Sequence, residues 1–287
     1  MPVQLRSLLR RMSVLGGLLP FLAYITVFLL VPAVAVIVGA FKTPDGHATL
    51  HNFHIATTGV YRTGYERSIK LSLIASIVPA ILGFVIAQAI HKSPPDAFLR
   101  KFVVSLSGVF ANFGGVPLAF LFISTWGPVS VTNSWLGDIG IHWVPNVHSF
   151  NAVAAVYLYF QIPLMVLVIL PAFEGLKPAW REASDNLGGN GLSYWRHVAG
   201  PAILPAFLGA TLLLFGSAFS AYATAEALTS GTIPLTPIQI GSFLNGNVLP
   251  GQENVGKALA AGMLVIIAVV MGIYAILQRR AARWASA

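Results

Sequence analysis

Long apolar runs separated by short polar clusters set the pattern of this chain. Six windows carry no charged residue: Val14–Phe41, Leu71–Ile90, Phe102–Trp126, Phe150–Phe173, Ala202–Ala225 and Ala258–Leu277. A hydrocarbon core of roughly 30 Å takes on the order of 20 helical residues to cross. Lipid offers no water to an open backbone, so each window is predicted to be a membrane-spanning helix. The first window exceeds the roughly 7–15 apolar residues of a secretory leader, so it is expected to remain as a span. Pro79, Pro117, Pro163, Pro171, Pro205 and the Gly114-Gly115 pair interrupt the windows. Neighbouring helices can satisfy the carbonyls that such breakers free. Gly83, Ala87, Gly209 and Gly216 permit close helix–helix approach.

Between the fourth and fifth windows the pattern changes. Pro178 fits a first helical turn, where its missing N–H costs nothing. Trp180, Ala183 and Leu187 then fall on one face of a short helix, with Arg181, Glu182, Asp185 and Asn186 on the other. Gly188 follows at the position where a left-handed cap favours a residue without Cβ. A second arm is predicted from Leu192, with Leu192, Trp195 and Ala199 along its apolar side, ending at Gly200-Pro201 before the fifth span. A plain interfacial connector would share this amphipathicity. Anionic lipid would repel the acidic residues, however, and the glycine corner is more elaborate than a linker needs. A rigid polar and aromatic knob suits docking to a protein.

Composition agrees with the pattern. The 287 residues are 56% hydrophobic and 9% charged, with mean hydropathy +0.77, outside the range of water-soluble domains. The expected fold is all-α: a polytopic membrane protein of six transmembrane helices, with a cytoplasmic helix–turn–helix between helices 4 and 5. Residues 1–13 are expected to form a cytoplasmic N-terminal segment, 14–277 the six-span domain with its loop at 174–201, and 278–287 a cytoplasmic tail. Alternating spans place Arg6, Arg10, Arg11, Lys92, Arg100, Lys101, Lys177, Arg181, Arg196, Arg279, Arg280 and Arg283 on one side. Lys42, Arg62, Arg67, Lys70 and Lys257 fall on the other. The richer side is the cytoplasm by the positive-inside rule. The net charge of +8 is therefore a topology signal with some affinity for anionic membrane lipid, and calls for no nucleic acid.

Absences narrow the chemistry. The sequence has no cysteine, which removes disulfides, thiolate metal sites and thiol nucleophiles. His47, His51 and His54 lie in one outer loop and read as polar filler, not as a metal site. No G-x-x-x-x-G-K-[ST] run is present, so the sequence carries no phosphate-binding loop of that type. Polar groups inside spans mark either helix glue or a solute path. Asn112 and Gln161 are expected chiefly as interhelical hydrogen-bonding amides, and both remain path candidates with Tyr157, Ser217, Tyr222 and Glu226. Glu226 is the only acid beside the outer end of a span. An intramembrane enzyme needs convergent acids, histidines or a nucleophile, and no such cluster is visible, so no catalytic residue is assigned. A secondary active transporter working without an ATPase is the alternative; it would call for ionisable groups within the spans, where this sequence has none.

The stretch "REASDNLGGNGLSYWRHVAGPAILP" resembles the cytoplasmic signature of permease subunits of bacterial type I ATP-binding-cassette importers. Glu182, Ala183 and Ser184 take its Glu-Ala-Ala, Gly188 its glycine, and Val198, Gly200 and Pro201 its Ile-x-Leu-Pro end. Gly200 departs from the pattern's leucine, which implies a looser second arm. "HNFHIATTGVYRTGYERSIKLSLIASIVPAILGFVIAQAI" resembles the opening of the family's transport domain, including Asn52, Phe53, Ser68, Ser72, Gly83 and Ala87. The resemblance implies a subunit that binds no cofactor, with ATP and magnesium on two cytoplasmic ATPase partners. It further implies a second permease (another chain or a second copy of this one) and an extracytoplasmic solute-binding protein. Trp180, Arg181, Glu182, Ala183, Asp185, Gly188, Trp195, Arg196 and Pro201 are the implied ATPase-coupling residues, with Trp180 or Trp195 as the aromatic anchor. "FGSAFSAYATAEALTSG" resembles the fifth-span end of permeases for polyamines, ferric ions and organophosphonates. Glu226 agrees with the polyamine versions, whereas Ala221 stands where they carry Asp. A polyamine or other small cationic or zwitterionic solute is the implied cargo.

Overall fold

The computed structural model describes residues 18–127, 130–139 and 146–285, and the N-terminal segment 1–13 lies outside them. Helix α1 spans Leu18–Ala40. There follow α2 (His51–Ala56), α3 (Gly59–His91), α4 (Phe98–Asn112), α5 (Gly115–Trp126) and α6 (Val131–Asp138). Next come α7 (Phe150–Glu174), α8 (Pro178–Asn186) and α9 (Gly191–Ser220). The chain closes with α10 (Ala223–Thr229), α11 (Thr236–Leu244) and α12 (Val255–Ala285). Among the described residues six stretches are long and apolar enough to cross a membrane: α1, α3, α5 taken with α6, α7, α9 and Val255–Arg279 of α12. Among the described residues β structure amounts to one bridge between Lys42 and Ala48. The chain is an all-α, six-span membrane protein.

The bundle is organised around α3 and α7. Gly83 makes their approach possible, since a Cβ there would lie 2.6 Å from Met165 Cβ and 3.0 Å from the Ile162 carbonyl. The buried Gln161 amide donates to Leu214 O at 2.9 Å and ties α7 to α9. Asn52 donates to the carbonyls of Ala40 and Lys42, both at 2.9 Å, and so pins α2 under the end of α1. Ser68 accepts from the Thr236 N–H at 2.8 Å, which fixes the start of α11 against α3. None of α1's apolar window is buried and little of α12's is. These two helices present apolar surface outward, which suits lipid or a neighbouring chain.

Four details differ from the sequence expectation. The third window is not one helix: it divides at Phe113-Gly114 into α4 and α5, and Gly115 is left-handed at φ +73°. Gly200-Pro201 does not end the second arm of the knob. The arm runs through a π-turn at Trp195–Ala199 straight into the fifth span, where Pro201 occupies a first-turn position. That span stops at Ser220, short of Ala225, and resumes as α10. The three outer histidines are not all in loop, because His51 and His54 stack on α2 with ring centroids 6.4 Å apart. Residues 278–285 continue α12 as helix.

Candidate functional site

α3 has 33 residues and at about 1.5 Å per residue separates the two ends of the bundle by about 50 Å. The knob of α8 and the start of α9 occupies the end where α3 finishes. Lys177 is extended and Pro178 opens α8. The helix then closes through Gly188 at φ +79°, with Gly188 N–H donating to Asp185 O at 3.0 Å and Gly189 N–H to Ser184 O at 2.9 Å. A positive φ and a six-to-one bond are the marks of a glycine cap. Asn190 starts the next arm by accepting the Ser193 N–H on its side chain at 2.8 Å. Arg181 joins the arms: it pairs with Asp185 at 3.1 Å and lies over the buried Tyr194 ring at 5.1 Å.

The outer side of this knob is apolar and uncovered. Leu187 is 89% exposed and Leu192 77%, and Trp180 is partly exposed beside them. A groove of about 580 Å³ runs between the arms, lined by Trp180, Ala183, Leu187, His197, Val198 and Pro201 among others. Glu182 and Arg196 are exposed, and neither makes an ion pair among the described residues.

The root of the knob is bound into the bundle. Trp195 turns its ring inward, edge-on to Phe84 of α3 at 6.3 Å and to Phe173 of α7 at 6.4 Å. Phe84 also meets Phe173 at 5.0 Å and Phe207 of α9 at 5.4 Å, and His91 stacks on Phe173 at 5.8 Å. The two tryptophans thus have separate places, Trp180 on the outer face and Trp195 at the root. Gly200 explains its own departure from leucine. Its N–H bonds the Trp195 carbonyl across the π-turn, and a Cβ there would sit 2.5 Å from that oxygen. Beside the knob, Arg100 pairs with Glu174 and joins the first turn of α4 to the end of α7.

The path candidates scatter. Gln161 and Tyr157 are buried ties between helices, the Tyr157 hydroxyl donating to Ala221 O at 3.0 Å. Asn112 is exposed and bonds only its own helix, at Gly108 O, 2.9 Å. Among the described residues Asn112 makes no interhelical hydrogen bond, unlike Gln161. Ser217 is half-buried, and Tyr222 packs closely over Gly241. Sequence reasoning missed that the breaks in α4–α5 and α9–α10 meet: Gly115 N–H donates to Thr224 Oγ1 at 2.8 Å. The Gly114-Gly115 pair was the available signal. At the opposite end from the knob, Glu226 lines a polar cavity of about 520 Å³ with Gln239 and Tyr61.

Comparison with known proteins gives one consistent answer. Residues 2–283 match the family model described as the binding-protein-dependent transport system inner membrane component. The chain is 22% identical over 272 residues to the spermidine/putrescine transport system permease protein PotB of Escherichia coli K12, covering 91% of this chain and 94% of that one. It is 23% identical over 218 residues to the spermidine/putrescine permease PotC homolog of Mycoplasma genitalium, covering 72% of this chain and 69% of that one. The fold is similar to a chain in the crystal structure of a bacterial ABC transporter that imports the acidic polysaccharide alginate, with TM-score 0.78, 18% identity and coverage of 97% and 99%.

Proposed function

The chain belongs to the binding-protein-dependent transport system inner membrane component family, and from that premise we propose that it carries a small solute inward while its 181–201 knob takes mechanical work from separate ATPase subunits. The proteins of this family are permease subunits of ABC importers and not enzymes, and this one is a multi-pass inner-membrane protein. In the proposed arrangement both termini and the knob face the cytoplasm. A second permease, the same chain or another, completes the pathway, and an extracytoplasmic binding protein delivers the solute. Two ATPases bind the knob, and their closure on ATP and magnesium tilts the spans between outward and inward openings.

One observation supports this most: a knob that is stiff, apolar outside and anchored inside. Capping at Gly188 and Asn190 holds the two arms, exposed Leu187, Leu192 and Trp180 form a docking face, and the Trp195–Phe84–Phe173–Phe207 cluster joins the knob to three spans. Exposed aromatic and aliphatic anchors are what partner pockets bind best. The proposed cargo is a polyamine or another small cationic or zwitterionic solute. The two spermidine/putrescine relatives support it, at identities of 22% and 23%.

The test is co-purification of the chain with a co-expressed ATPase subunit, alongside ATP-driven uptake in vesicles. Proline cannot adopt the φ of +79° found at Gly188. Gly188→Pro is expected to lose both the ATPase and the uptake while still inserting in the membrane. Uptake that persists with no ATPase present would replace this reading with a secondary transporter. A solute screen on the cognate binding protein reads the cargo separately.

A further inference from the structure

An apolar groove opens in the side of the bundle at the root of the knob. It encloses about 310 Å³ between α3 and α9, with Ile81, Phe84 and Val85 on one wall and Trp195, Ile203 and Leu204 on the other. Its lining side chains are all aliphatic or aromatic, and Gly200 adds bare backbone. Phe84 and Trp195 also belong to the aromatic root, so the groove shares a wall with the join between knob and spans. Ile81, Val85 and Leu204 are exposed. From Trp195 to Phe207, which also lines the groove, α9 rises by about 18 Å at about 1.5 Å per residue. That is close to one leaflet of a hydrocarbon core of about 30 Å.

The end of the groove nearest the knob is basic. Lys92 caps α3 seven residues after Val85, a spacing that returns to the same helical face. On α9 the π-turn at Trp195–Ala199 inserts one residue. Arg196 and Leu204, eight apart, therefore share a face as positions seven apart do in a plain α-helix. Trp195 and Ile203 have the same offset, and both line the groove. Lys92 and Arg196 are exposed, and neither makes an ion pair among the described residues. The acids at this end are otherwise engaged: Asp96 pairs with Lys101, Glu174 with Arg100 and Asp185 with Arg181, which leaves only Glu182 of α8.

We infer that this groove holds the acyl chain of an acidic phospholipid, whose phosphate is bound by Arg196 and Lys92. Arginine meets phosphate oxygens with a planar fork of N–H donors, and lysine adds a point charge. The exposed walls of a six-span bundle meet hydrocarbon, and a slot one leaflet deep with two cations at its end matches a lipid along its length. A neighbouring apolar helix would fill the slot but leave both cations without an anion. The lipid braces Phe84 against Trp195 and so stiffens the join through which the knob moves the spans. It also gives Arg196 a partner other than an ATPase. The site rests on the six-span fold alone, and only its effect on coupling rests on the proposed function.

The experiment takes the full chain, purified and delipidated in detergent, and titrates it with palmitoyl-oleoyl phosphatidylglycerol or the matching phosphatidylcholine, counting bound lipid by native mass spectrometry. Phosphatidylglycerol is expected to bind more tightly by about tenfold or more, since each basic residue beside an acidic head is worth about fivefold. Leu204→Trp fills the groove from an exposed position and should weaken phosphatidylglycerol by about tenfold, the loss of contact for about two buried methylenes. Arg196→Gln combined with Lys92→Gln should abolish the preference while both lipids still bind, a pattern that misfolding would not give. Ile77→Trp, exposed on α3 outside the groove, should change neither. Equal binding of the two lipids by the wild type, or phosphatidylglycerol binding unmoved by Leu204→Trp, overturns the inference. So does a dimer of the chain that Leu204→Trp disrupts, because a second copy would then be the occupant. Failure here leaves ATPase docking on the knob standing, and failure of that docking leaves these lipid counts unaffected.

Discussion

The two ends of the bundle solve opposite problems. At the knob, local bonds close the structure: Gly189 N–H to Ser184 O, Ser193 N–H to Asn190 Oδ1, Arg181 to both Asp185 and Tyr194. At the other end the helices are interrupted, at Ala221-Tyr222 and by a left-handed Ser230-Gly231 corner, and two buried acceptors are left open. A satisfied, capped element transmits force because it has no cheap way to deform. An interrupted element with unpaired buried acceptors lacks bonds that the capped one makes. The difference is the ground for the mechanical role proposed for the knob.

The comparison is broken most severely at the join between knob and span. Gly200→Leu restores the leucine of the family pattern but puts a Cβ 2.5 Å from the Trp195 carbonyl. The backbone must shift, rotating the knob against the Trp195–Phe84–Phe173 root. Binding of the ATPase should survive, while uptake per ATP hydrolysed, measured in proteoliposomes, should fall by about tenfold, an uncoupling equivalent to about 1.4 kcal/mol. Unchanged coupling would mean that the π-turn does not position the knob. The smallest expected effect sharpens the same contrast. Asn190→Ala removes the side-chain cap of α9 and should cost about 1 kcal/mol, read as a lower melting temperature with uptake largely kept.

Much of this was legible in the sequence, and the reasons are specific. Spans are written in charge-free length, so α1, α3, α7 and α12 stand near their apolar windows. The first arm of the knob was legible because Pro178 and Gly188 are strong punctuation with a steric cause. The end of the second arm was misread because Gly200-Pro201 also suits the interior of a continuous helix that has just made a π-turn. Gly114-Gly115 read as a breaker tolerated within one span, whereas the structure divides the span there, with Gly115 N–H bonded to Thr224. The orphaned oxygens of Glu226 and Gln239 were invisible. Hydrogen-bond vacancy depends on which elements meet, and residues 13 positions apart give no periodic sign of it.

The absence of cysteine allows one clean measurement of the central claim. Leu187→Cys places a single thiol at the most exposed apolar point of the knob, 89% open. Spheroplasts and inside-out vesicles carrying this variant are treated with a membrane-impermeant maleimide, with and without the ATPase subunit. A knob that docks the motor in the cytoplasm is labelled only in inside-out vesicles, and the ATPase protects it. Labelling in intact spheroplasts, or labelling indifferent to the ATPase, would contradict the account.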